Sequence, residues 1–145
     1  MQVSPAGAVA YVLWYEIKNH AKNVDLGEFV VMPNHMHGIL IMDGGGAGGM
    51  GTVVGTVVGT GHAVGTGHAL SQPGQTRFQN QGKNTVSSIV GSYKSAVTKY
   101  CHRLGLEFAW QTRFHDHIIR NDESFQRISD YIKNNPNNWE EDKFY

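Results

Sequence analysis

His35 and His37 stand two residues apart, with Met36 between them, at the mouth of the apolar run Gly38-Ile39-Leu40-Ile41-Met42. On a strand, residues i and i+2 point to the same side. Both imidazoles can then be offered to one divalent metal ion while Met36 packs on the other side. Pro33-Asn34, just before, is turn chemistry, so the pair is expected to open a buried strand immediately after a tight turn. On spacing alone two readings stand: half of a metal site, or an ordinary pair of histidines at a strand edge.

A second pair lies far along the chain. Tyr131 and Asn135 are four residues apart and share one face of a predicted helix. If that face meets the histidine strand, Asn135 can supply a third ligand through its side-chain oxygen. Tyr131 then holds a phenol beside whatever the metal binds. Such a constellation suits phosphodiester cleavage, in which the metal withdraws charge from the phosphate and the tyrosine forms a covalent link. A free phenol has a pKa of about 10, so the nucleophile needs a nearby metal or base. Imidazole and amide-oxygen ligands favour Mg²⁺ or Mn²⁺, with Zn²⁺ also compatible. The alternative for Tyr131 is a core aromatic beside Phe125, Ile128 and Ile132.

The elements that must position these residues follow from caps and periodicity. Ser4-Pro5 starts a helix that reaches about His20, with Val9, Leu13, Trp14 and Ile17 as its apolar stripe. Val24 to Met32 and His35 to Met42 read as the two strands of a hairpin. Order resumes at Asn84-Thr85 with a helix whose stripe is Val86, Ile89, Val90, Tyr93, Val97, Tyr100 and Leu104, closed by Gly105. Phe108 to Ile119 reads as a strand. Asn121 caps a last helix, with Asp122 and Glu123 in its first turn, Phe125, Ile128 and Ile132 on its apolar face, and Pro136 ending it. The tail is expected on the surface with Trp139 docked.

Residues 44–83 have a different character. Gly44-Gly45-Gly46 opens a stretch of imperfect repeats, Gly-Thr-Val-Val and then Gly-Thr-Gly-His-Ala. It is read as a flexible loop whose His62 and His68 are inert.

At 145 residues the chain suits one domain, and residues 1–145 are read as such. The single cysteine excludes an internal disulfide and suits a reducing compartment. No apolar run is long enough to span a membrane, and the first residues lack the basic start of a signal peptide. Net charge is zero, but between Arg77 and Arg120 there are seven basic residues (Arg77, Lys83, Lys94, Lys99, Arg103, Arg113, Arg120) against Glu107 and Asp116. That local excess is compatible with phosphate contacts, as it is with a solvated helix face. Lys94 and Lys99 fall off the apolar stripe and are candidates for such contacts, with Arg113 and Arg120. His115 and His117 share one side of their strand and could form a second metal pair, but are read as structural or DNA-touching, His117 being the candidate contact.

Three blocks in this order, residues 30–38 (Val-Val-Met-Pro-Asn-His-Met-His-Gly), 110–121 (Trp-Gln-Thr-Arg-Phe-His-Asp-His-Ile-Ile-Arg-Asn) and 130–136 (Asp-Tyr-Ile-Lys-Asn-Asn-Pro), resemble the single-tyrosine HUH transposases of insertion sequences, closest to the REP-associated tyrosine transposases. The resemblance implies His35 and His37 as metal ligands, Tyr131 as nucleophile and Asn135 at the third ligand position. It implies a Mg²⁺- or Mn²⁺-dependent single-stranded DNA endonuclease and strand transferase that forms a 5′-phosphotyrosine intermediate. Hairpin-containing single strands would be its partner, with a homodimer possible and a cytoplasmic, nucleoid-associated location. The alternative is a hairpin-binding protein derived from such an enzyme and no longer catalytic. The fold implied is α+β, a ferredoxin-like sandwich with an antiparallel sheet and helices on one face. Its first strand is expected to be missing, which would leave the central place of the sheet empty.

Overall fold

The computed structural model describes residues 2–42, 52–61 and 85–141, with the backbone alone at 52–61, 111–116 and 139–141. Ser4 accepts a hydrogen bond from the Gly7 amide at 3.1 Å and so caps α1 (Pro5–Tyr15). The expected single helix to His20 is interrupted at Glu16, after which α2 (Ile17–His20) makes one more turn. β1 (Val24–Val31) and β2 (His35–Met42) form the hairpin the sequence predicts. Its turn is tied by the Met32 amide donating to the His35 carbonyl at 2.8 Å.

The Gly-rich stretch departs from expectation. Within it, β3 (Thr52–Gly61) pairs antiparallel with β2 along the whole length of β2, from His35 opposite Gly59 to Met42 opposite Thr52. β4 (Ala109–Ile119) pairs antiparallel with the far side of β3, giving a four-stranded sheet in the order β1-β2-β3-β4. The place expected to be empty beside β2 is thus filled. The loop reading fails at these residues because valine and threonine favour strands, and a four-residue repeat is commensurate with the strand period of two. The rest of the stretch, with His62 and His68, lies outside the described residues, as do the docking of Trp139 and the extreme tail.

α3 (Val86–Arg103) is capped by Thr85, and its end closes through Gly105 at φ 66°, with Leu106 N–H donating to the Cys101 carbonyl at 2.9 Å. The buried stripe runs Ile89, Val90, Tyr93, Val97 and Cys101, whereas Tyr100 and Leu104, expected on it, are exposed. With 3.6 residues per turn the stripe passes to Cys101 at its end. α4 (Asp122–Asn134) is capped by Asn121, whose side chain accepts from the Ser124 amide at 2.8 Å. A 3-10 helix, Asn135–Glu141, follows it.

The helices occupy both faces of the sheet, not one. Trp14 and Ala10 of α1 pack with Tyr93 and Val97 of α3 against Met36 and Leu40 of β2. Ile132 of α4, with Phe125 and Ile128, packs instead against Ile39 and Ile119. The alternation of β2 therefore sends even-numbered residues to the α1/α3 side and odd-numbered ones to the α4 side. Gly38 is required on the first side. A Cβ there would lie 2.5 Å from the Trp14 ring, which stacks at 4.3 Å on Phe29, the cross-strand partner of Gly38. The molecule is a mixed α+β structure, and among the described residues no helix is long and apolar enough to cross a membrane.

Candidate functional site

The parity that buries Met36 and Leu40 under α1 and α3 places His35 and His37 under α4. Both imidazoles are buried, at 1% and 3% exposure, so the edge-pair reading does not hold. Their Nε2 atoms converge to 2.9 Å, with the rings nearly perpendicular. That is an N···N hydrogen-bond distance, and it is also about the spacing of two nitrogens bound at right angles to one ion through bonds of about 2 Å. On its other edge, His35 Nδ1 meets Asn34 Oδ1 at 2.5 Å.

Tyr131 comes over this pair from α4, its ring 5.4 Å from that of His37 and inclined at 77°. At 45% exposure it is not a core aromatic. One edge of the ring touches the histidine and much of the side chain is open to a ligand. The helix is held above the hairpin by Ile132 in the apolar layer and by Lys133, whose Nζ lies 3.0 Å from Glu28 of β1.

Asn135 is buried one helical turn beyond Tyr131, at the start of the 3-10 helix. Its Nδ2 has no hydrogen-bond partner. A buried N–H left unsatisfied costs about 1–3 kcal/mol, and what it calls for is a hydrogen-bond acceptor, not a cation. Its oxygen is a suitable hard donor beside two imidazoles. With the two converging imidazole nitrogens it makes a donor set whose chemistry suits a divalent ion. Among the described residues no group of three or more His, Cys, Asp or Glu side chains could hold a metal, so a third ligand drawn from these residues would be of another kind.

The remaining candidates divide. Lys94 and Lys99 belong to α3, across the sheet from His35 and His37, and so do not join the site. Lys94 is half-buried with its Nζ 5.0 Å over the Trp110 ring, and burial lowers its pKa. Their separation from the apolar stripe fixed only which side of the helix they take, not which face of the sheet that helix covers. His117 is exposed and shares strand parity with Ile119, on the α4 side. Arg120 is exposed in the connection between β4 and α4. The side chains of Arg113 and His115 lie outside the described residues.

Two residues escaped the sequence reading. From the sequence Asn34 reads as a turn residue alone, though a side-chain acceptor next to one of two closely spaced histidines is a recognisable pairing. Ser129 is buried on α4 with its Oγ unpartnered. Its spacing of three from Ile132 and four from Phe125 was the available signal.

No family model matches the chain, and no solved structure matches it. A protein of Haemophilus influenzae, named only as an uncharacterized protein, is 32% identical over 146 aligned residues, covering 100% of this chain and 72% of that protein. A match of that extent takes in the hairpin, both faces of the sheet and the tyrosine helix together. The chain therefore belongs to the same family as this Haemophilus influenzae protein.

Proposed function

We propose that the protein nicks and joins single-stranded DNA in a metal-dependent reaction, as a single-tyrosine HUH transposase, with Tyr131 as nucleophile. The observation that carries this reading is the convergence of the His35 and His37 Nε2 atoms at 2.9 Å beneath the edge of Tyr131. His35, His37 and Asn135 would hold the ion. Mg²⁺ or Mn²⁺ bound there would withdraw charge from the scissile phosphate. Tyr131 Oη attacks phosphorus and loses its proton to solvent. The phosphorus–3′-oxygen bond breaks, and the departing oxygen takes up a proton. The 5′-phosphotyrosine left behind conserves the bond for rejoining. Because Tyr131 is half exposed, a DNA strand can reach it without opening the core.

The fold is consistent with a ferredoxin-like frame in which helix, hairpin, helix, strand and tyrosine helix follow in order, with β3 inserted into the interior of the sheet. Exposed His117, on the site's side, and exposed Arg120, in the connection between β4 and α4, are the DNA contacts, with single-stranded, hairpin-containing DNA as substrate. Such a substrate places the protein at the nucleoid in the cytoplasm, alone or as a homodimer.

The test is a denaturing gel of the protein with labelled hairpin-containing single strands and Mn²⁺. A covalent protein–DNA band that needs metal and is lost in Tyr131→Phe supports the proposal. Retardation on a native gel with no covalent band would instead mark a hairpin-binding protein without catalysis.

A further inference from the structure

We infer that Asn34 is a positioning residue that fixes the tautomer of His35 and aims its Nε2 lone pair at the point shared with His37. The inference rests on the proposed metal site. An imidazole binds a metal only through a nitrogen without a proton, and the hydrogen bond at the other nitrogen decides which one that is. Asn34 Oδ1 is an acceptor, and His35 Nδ1 lies 2.5 Å from it, so Nδ1 carries the proton and donates. Nε2 is then left with its lone pair, facing His37 Nε2 at 2.9 Å. In the metal-free protein that lone pair would accept from His37 Nε2–H, and an ion held by the two histidines would replace this proton.

The backbone holds the carboxamide in reach. Pro33 fixes one φ of the turn. The Met32 amide donates to the His35 carbonyl, closing the chain around Asn34. The Asn-His step is thus more than a turn: the residue that reverses the chain also sets the protonation pattern of the first ligand.

The prediction concerns metal-free protein as well as metal binding. At a pH above the imidazole range, nitrogen-15 NMR of the metal-free wild type should show His35 protonated at Nδ1. Asn34→Leu, which has no acceptor, should lose that preference. Its Mn²⁺ affinity should fall by about 10- to 100-fold, the usual consequence of losing the partner of a ligand histidine. Asn34→Asp, which keeps an acceptor in place, should restore the Nδ1 tautomer and bring affinity back to near wild type. A purely structural role would lower the melting temperature without this rescue pattern. Unchanged Mn²⁺ affinity in Asn34→Leu, or a wild-type His35 protonated at Nε2, overturns the inference and leaves the proposed function standing. Wild-type protein that binds no Mn²⁺ overturns the proposed metal site and the inference with it.

Discussion

On one side of the sheet β2 contributes Met36 and Leu40, and on the other His35 and His37 beside Ile39. The α1/α3 side is closed by aromatic packing: Trp14 stacks on Phe29 and meets the Tyr93 ring edge-on at 5.5 Å, and the Tyr93 hydroxyl donates to the Ala10 carbonyl at 2.8 Å. Burial there pushes the Tyr93 pKa well above the ordinary tyrosine range. The α4 side holds His35, His37, Ser129 and Asn135, the buried polar side chains among the described residues. Buried polar groups weaken a fold unless they are satisfied. Among the described residues, Ser129 Oγ and Asn135 Nδ2 lack partners on this side, and Trp14 Nε1 lacks one on the closed side. The difference teaches that a single strand, through its alternation, serves an apolar packed face and a face that gathers buried polar side chains, where the proposed chemistry would lie.

Variants on each face should separate these roles. The largest loss of stability is expected for Trp14→Ala. It removes a fully buried indole and should cost about 3–5 kcal/mol in a denaturant titration. Activity would then fall only as the folded fraction falls. Gly38→Ala comes next, since its Cβ meets the Trp14 ring directly. Overpacking of this kind costs about 1–3 kcal/mol, read as a lowered melting temperature. Asn135→Ala should behave in the opposite way. It removes an unsatisfied buried amide, so stability should stay within about 1 kcal/mol, while Mn²⁺ affinity measured by calorimetry drops about tenfold or more. The smallest effect is expected for Lys94→Gln with Lys99→Gln, across the sheet from the histidines. Yield of covalent product should stay within about twofold, as for surface substitutions away from a site. A large loss there would show that the two faces cooperate in binding DNA.

Much of this contrast was legible in the sequence. The His35 to Met42 strand, the Thr85 and Asn121 caps and the pairing of Tyr131 with Asn135 follow from spacing and local hydrogen bonding, which one segment carries by itself. The face to which each helix docks is not local. It depends on strand parity and on how the chain crosses the sheet, so Lys94 and Lys99 were grouped with a site they do not join. β3 escaped because glycine repeats lower strand propensity, and only pairing with β2 and β4 on both sides compensates. Asn34 escaped because its turn role already accounted for its type.

The most direct test of the central claim is to digest the covalent protein–DNA adduct and locate the attached nucleotide by mass spectrometry. The chain has six tyrosines, so the position is informative. The account predicts a 5′-phosphodiester on Tyr131 alone, formed only when Mn²⁺ or Mg²⁺ is present. An adduct on another residue, or one formed equally well in chelator, would contradict it.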